Sequence, residues 1–127
     1  MRVPVFLPLL LVLSACSLFG PSGPRYVLFF QEGSAQLDAP AGSVIAQAAR
    51  RANADPAAPV EVSGYTDTAG SPQANVVLSQ ERAQAVADAL VARGVTANRL
   101  IRKAQGQTGS NPGVASRRVE ITVGGPE

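Results

Sequence analysis

Apolar positions recur along this chain with alternating spacings, and the changes of spacing mark its elements. Residues 26–30 (YVLFF) form an unbroken run of aromatic and branched side chains that predicts a buried strand. Glu32, Gly33 and Ser34 supply the turn that ends it. From residue 40 to 54, Val44, Ile45, Ala48, Ala49 and Ala52 fall on one side and Gln47, Arg50 and Arg51 on the other. That is the period of an amphipathic helix, opened by Pro40 and stopped at Asp55 and Pro56. Residues 60–63 (VEVS) then alternate with period two, so Val60 and Val62 face a core while Glu61 and Ser63 look outward.

A second helix is expected to begin at Ser79, which has N-cap chemistry, and to run to Arg93 with Ala83, Val86 and Leu90 on its apolar stripe. Gly94 follows as a left-handed stop. Ser71 and Pro72 read as an earlier irregular turn. Residues 100–104 make a weaker strand and residues 119–123 (VEITV) a clear alternating one, joined by a polar connection. The order strand, helix, strand, helix, strand, strand predicts an α/β two-layer sandwich, a mixed β-sheet with helices on one face. With no Trp and few aromatics, its core must be built from Val, Leu, Ile and Ala.

The first residues follow another pattern. Met1 and Arg2 precede an apolar run from residue 3 to 13, which ends in small residues and one cysteine, the layout of a secretory signal too short to span a bilayer. Leu13, Ser14, Ala15 and Cys16 resemble a lipobox, which implies cleavage after residue 15 and a lipid on Cys16, anchoring the mature protein to the membrane. The alternative for Cys16 is a buried or free thiol; one cysteine allows no internal disulfide. Ser17 at the next position, where lipoproteins retained in the inner membrane carry Asp, implies the outer membrane. Residues 17–24 (SLFGPSGP) read as a linker reaching roughly 25 Å, and residues 25–127 as one domain.

Charge and inventory narrow the functions. Without Arg2 the chain carries 10 basic and 9 acidic side chains, so nucleic-acid binding has little electrostatic support. The absence of histidine excludes a Ser-His-Asp or Cys-His site and the usual zinc sites, and the residues point to no catalytic group, cofactor or metal. Gly106, Gln107, Thr108 and Gly109 lack the spacing and the lysine of a phosphate loop.

What stands out is Gly64-x-Thr66-Asp67-x-x-Gly70-Ser71-x-x-x-Asn75-x-x-Leu78-Ser79-x-x-Arg82-Ala83. An acid after a strand and a base at a helix start, on one end of a sheet, suit a zwitterionic ligand: Asp67 accepts from an ammonium and Arg82 grips a carboxylate through two parallel N–H bonds. The helix N-terminus would add attraction for that carboxylate. Outside such a motif, an Asp there is a turn residue and an Arg a solvated helix face.

The pattern closely resembles the signature of the OmpA-like domain, a periplasmic peptidoglycan-binding module, over residues 26–123. The resemblance extends to FQEGSAQL at residues 30–37 and to Arg117, Arg118, Val119, Glu120 and Ile121. It implies that Asp67 and Arg82 bind the diaminopimelate of the wall peptide, with Asn75, Thr66 and Leu78 shaping the loop. The implied partner is peptidoglycan, tethered to the outer membrane from the periplasmic side. The alternative is an assembly or secretion-system lipoprotein whose domain docks another envelope protein, which the short linker favours. Gln31 and Glu32 stand where many members carry Asp, and Ser116 where Asn is common. Arg117 and Arg118 read as structural, one of them pairing with an acid elsewhere.

Overall fold

The computed structural model describes residues 23–109 and 113–124; the signal, Cys16 and most of the linker lie outside them. Four strands form one sheet: β1 (Arg25–Phe29), β2 (Val60–Thr66), β3 (Leu100–Gln107) and β4 (Arg118–Val123), with α1 (Ala39–Ala54) and α2 (Pro72–Ala92) between them in sequence. The spatial order is β1-β4-β2-β3. β4 is antiparallel to both β1 and β2, while β2 and β3 run parallel, so the sheet is mixed as expected. Both helices lie on one face, over Leu28, Val60, Val62, Val119, Ile121 and Val123.

α1 follows the sequence closely. Asp38 caps it, its carboxylate accepting from the Ala41 amide at 2.8 Å, and Pro40 occupies the first turn. Its buried side is Ala41, Ile45, Ala48, Ala49 and Ala52, small enough for close approach to the sheet. Arg99 closes the far end by donating to the carbonyls of Ala52, Asp55 and Ala58. That arrangement satisfies acceptors a helix C-terminus leaves open.

Three expectations need correction. The second helix starts at Pro72, not Ser79: Ser71 is the N-cap, accepting from the Ala74 amide at 3.1 Å, and Pro72 is its first residue. The supposed irregular turn is thus a helix start, and Arg82 lies mid-helix instead of in the first turn. Ser79 is fully buried; its hydroxyl donates to the Val76 carbonyl at 2.8 Å and accepts from the Gly106 amide at 3.0 Å. Second, β1 is an edge strand whose outer face has no helix on it, so Phe29 is 46% exposed and Leu28 alone within the strand is buried. Third, β2 and β3 run longer than their apolar alternation, to Thr66 and Gln107.

Glycine explains that last difference. A Cβ on Gly64 would stand 2.0 Å from the Ser79 carbonyl oxygen, so the side-chain-free position lets α2 lie directly on β2. Opposite it, the β2–β3 register slips between Gly64 and Tyr65, and Gly106 takes φ 66° to turn its amide to Ser79. At the other end, Gly94 at φ 95° terminates α2 as the sequence predicts, with the Val95 amide donating back to the Leu90 carbonyl at 3.1 Å.

Candidate functional site

The carboxyl end of β2, the turn after β1 and the first half of α2 meet around a cleft of about 240 Å³, lined by Glu32, Gly33, Asp67, Asn75, Leu78 and Arg82, with Ala69 and Gly70 at its edge. Asp67 follows β2 directly, so its place is fixed by the sheet. Its side chain is only 6% exposed. Oδ1 accepts from the Ala69 amide at 3.1 Å, closing the local turn, and Oδ2 accepts from Arg117 Nη1 at 3.2 Å. Arg117 is in turn held by Nε donating to the Phe30 carbonyl at 3.0 Å. The expectation that one of the paired arginines meets an acid elsewhere is therefore fulfilled twice, since Arg118 pairs with Glu120 and covers the Tyr65 ring at 4.2 Å.

Arg82 is the largest fully buried side chain, with 0% exposure. Nε donates to the Ser34 carbonyl at 2.8 Å, Nη1 to Tyr65 at 3.0 Å and Nη2 to Gln31 at 3.0 Å, and the guanidinium lies 5.1 Å from the Phe30 ring centre. One cation thus binds together the post-β1 turn, the end of β2 and α2. Burial pushes its pKa down; Asp67 opposes that shift and the like charge of Arg117 adds to it. A guanidinium has five N–H donors, so three carbonyl bonds leave two for other acceptors. The sequence presents Arg82 as an accessible fork, whereas here it is a strut beneath the cleft.

Asn75 is buried in the first turn of α2, and its amide nitrogen donates to the carbonyls of Asp67 at 3.3 Å and Ala69 at 2.7 Å. It shapes the loop on which Asp67 sits. Thr66 is buried at the end of β2 and does not line the cleft; its hydroxyl has no partner among the described residues, while its carbonyl accepts from the Thr108 amide at 2.9 Å. Of the four predicted site residues, the structure brings Asp67, Asn75 and Arg82 to one cleft and leaves Thr66 behind it. The helix N-terminus borders the cleft through Gly70 and Asn75, not through Arg82. Among the described residues no group of His, Cys, Asp and Glu could hold a metal ion.

Sequence reasoning missed two members. Arg117 reveals itself only by the fold, because fifty residues separate it from Asp67; the doubled arginine before β4 is its one visible signal. Glu32 registers in the sequence as a departure from a common Asp.

A mixed four-stranded sheet with two helices on one face, and a buried Asp–Arg cleft at the end of β2, define a protein class. The OmpA family model matches residues 29–120, and the chain belongs to that family. Its relatives include the probable lipoprotein YiaD of Escherichia coli, 38% identical over 104 residues that span 74% of this chain and 46% of that protein. The peptidoglycan-binding protein ArfA of Mycobacterium tuberculosis is 40% identical over 90 residues, 63% of this chain and 27% of that one. The chain thus spans less than half the length of these relatives. Among solved structures, the OmpA-like domain of FopA1 from Francisella tularensis superposes with a TM-score of 0.71 at 26% identity, covering 80% of this chain and 72% of that one. The peptidoglycan-associated lipoprotein of Burkholderia pseudomallei gives 0.71 at 24% identity, over 77% and 89%, a likeness of fold.

Proposed function

We propose that this chain binds peptidoglycan non-covalently, through the diaminopimelate of the stem peptide, and performs no catalysis. The observation that carries this reading is the cleft itself: Asp67 and Arg82 line a space of about 240 Å³ at one end of the sheet, and Arg117, outside that lining, holds Asp67 in place. Free diaminopimelate ends carry an ammonium beside a carboxylate. Asp67 has lone pairs left for the ammonium, since its carboxylate oxygens each accept one bond within the protein. The buried charge of Arg82, lying beneath the cleft, draws the ligand carboxylate toward the cleft floor. Asn75 keeps the Asp67 loop in shape. Thr66 contributes from behind, as packing. Relatives named as peptidoglycan-binding or as lipoproteins support the same reading.

The proposal extends to the whole chain. Residues 1–15 form a lipoprotein signal, Cys16 carries the lipid, residues 16–24 tether it, and the domain from residue 25 onward works in the periplasm under the outer membrane. Affinity is modest, because each charged hydrogen bond contributes about 1.5–3 kcal/mol and salt weakens those at an open cleft. Many copies in one membrane compensate through avidity.

Co-sedimentation of the purified protein with diaminopimelate-type sacculi tests the reading. The protein is expected in the pellet, and Asp67→Asn, which preserves the side chain's shape and its acceptor for the Ala69 amide, is expected to stay in the supernatant. Equal pelleting of both proteins would overturn the assignment of the site, and no pelleting of the wild type would overturn the wall-binding function.

A further inference from the structure

We propose that the pole of the domain opposite the cleft rests on anionic phospholipid headgroups of the membrane that holds Cys16, and so aims the cleft away from that membrane. This rests on the reading of Cys16 as lipidated and adds an orientation to it. The first argument is where the chain enters the domain. The cleft lies at the carboxyl end of β2 and the turn after β1, so the starts of β1 and β2 lie at the other pole. There the Gly23 amide donates to the Gly124 carbonyl at 3.0 Å, and the Gly124 amide to the Pro59 carbonyl at 2.8 Å. Both helices also end at this pole, joined by Asn53 Nδ2 donating to the Arg93 carbonyl at 3.0 Å. The chain leading from Cys16 therefore meets the domain on the side away from the cleft.

The second argument is charge. Arg25 at the start of β1, Arg50 and Arg51 near the end of α1 and Arg93 at the end of α2 are all exposed, and none makes an ion pair among the described residues. The helix dipoles favour Arg51 and Arg93 where they stand, but not Arg25 at a strand end. Against these four stand Asp55, which is exposed, and Glu127, which follows Gly124 by three residues in sequence. The cleft pole is the reverse: Glu32 and Asp38 are exposed there, while Arg82 is buried and Arg117 is held by Asp67. A negative surface thus attracts one end of the domain and repels the other. The third argument is reach. Gly23 follows Cys16 by seven residues, at most about 25 Å of chain. A domain of about 100 residues, with a radius of gyration of about 13 Å, is wider than that. Its arginine-bearing pole is therefore held at high effective concentration over the headgroups, where contacts too weak to bind a free domain suffice to orient a tethered one.

The four arginines are exposed, so their variants are expected to fold as the wild type does. The test places a fluorophore on Thr96→Cys, at the arginine-bearing pole, or on Gln36→Cys, between β1 and α1 at the cleft pole, in the mature lipidated protein; both positions are exposed. Energy transfer to rhodamine-labelled phosphatidylethanolamine is read in vesicles of phosphatidylethanolamine with phosphatidylglycerol, and in vesicles of phosphatidylcholine. The anionic vesicles are expected to raise transfer from position 96 and lower it from position 36. About 1 M NaCl, which shortens the screening length to about 3 Å, is expected to remove that difference. Combined Arg25→Glu, Arg50→Glu, Arg51→Glu and Arg93→Glu is expected to remove it too, since each arginine near an anionic surface shifts the population of the docked orientation about fivefold. Arg→Lys at the same four positions is expected to retain it, because a point charge serves there. Equal transfer in the two vesicle types at both positions, or a difference that the Arg→Glu variant keeps, would overturn the orientation. If the wild type stays with neither vesicle, it is the lipid anchor on Cys16 that fails, and the orientation with it.

Discussion

α1 and the first half of α2 lie on the same face of the same sheet, yet their buried sides are opposite in chemistry. α1 turns Ala41, Ile45, Ala48, Ala49 and Ala52 inward. α2 turns Asn75, Ser79 and Arg82 inward over its first turns while Val76 and Val77, at 47% and 54% exposure, face water. Only from Ala83 onward does α2 resemble α1, with Val86, Ala87 and Leu90 buried. Packing alone accounts for α1. The polar half of α2 instead satisfies backbone groups that a cleft leaves open: the carbonyls of Gln31, Ser34, Tyr65, Asp67 and Ala69, and the Gly106 amide. A concave site interrupts the core, and buried polar side chains complete the hydrogen bonding there.

The comparison breaks most severely at Arg82. Arg82→Ala is expected to lower stability by about 3–5 kcal/mol in a urea titration, because it strands three carbonyls and removes a buried charge from its network. A loss under about 1 kcal/mol would mean that the polar half of α2 holds little together. Next in size, Gly64→Ala sets a methyl group against the Ser79 carbonyl and should cost about 3 kcal/mol, since backbone must move to admit it. Ser79→Ala is expected to cost about 1–2 kcal/mol by leaving the Gly106 amide unpaired, and an unchanged midpoint would remove that hydroxyl from the account. Smallest is Val77→Ser on the exposed side, expected within about 0.5 kcal/mol of wild type although it deletes an apolar residue from a helix.

This inversion also governs how much the sequence revealed. β4, the start of β2 and α1 were legible because in them apolar residues are the buried ones and their period is the signal, whereas β3, with Ile101 exposed and only Gly106 buried, was legible only in part. The end of α2 was equally clear through Gly94. Its beginning was hidden: with Asn75, Ser79 and Arg82 inside and two valines outside, residues 72–82 carry no apolar stripe on the packed side, and Ser79 passes for a cap. The Ser71–Pro72 pair held the true start signal. For the site, the motif identified the residues but not their states. Nothing local in the sequence tells that Arg82 is sealed beneath the cleft by carbonyls from two other segments, or that Arg117 meets Asp67 at the end of the ladder between β2 and β4. Such pairings depend on strand order, which the sequence leaves open. The open face of the sheet, with Phe29 and Ile101 exposed, likewise follows from both helices choosing one side.

The central claim is that the cleft bordered by the polar half of α2 receives diaminopimelate. Amide chemical-shift mapping of the protein during titration with the diaminopimelate tripeptide tests it most directly. The account predicts saturable shifts concentrated at Glu32, Gly33, Asp67, Ala69, Gly70 and Asn75, with α1 and the open sheet face unmoved. Shifts centred on Phe29 and Ile101, or none at saturating peptide, would contradict it.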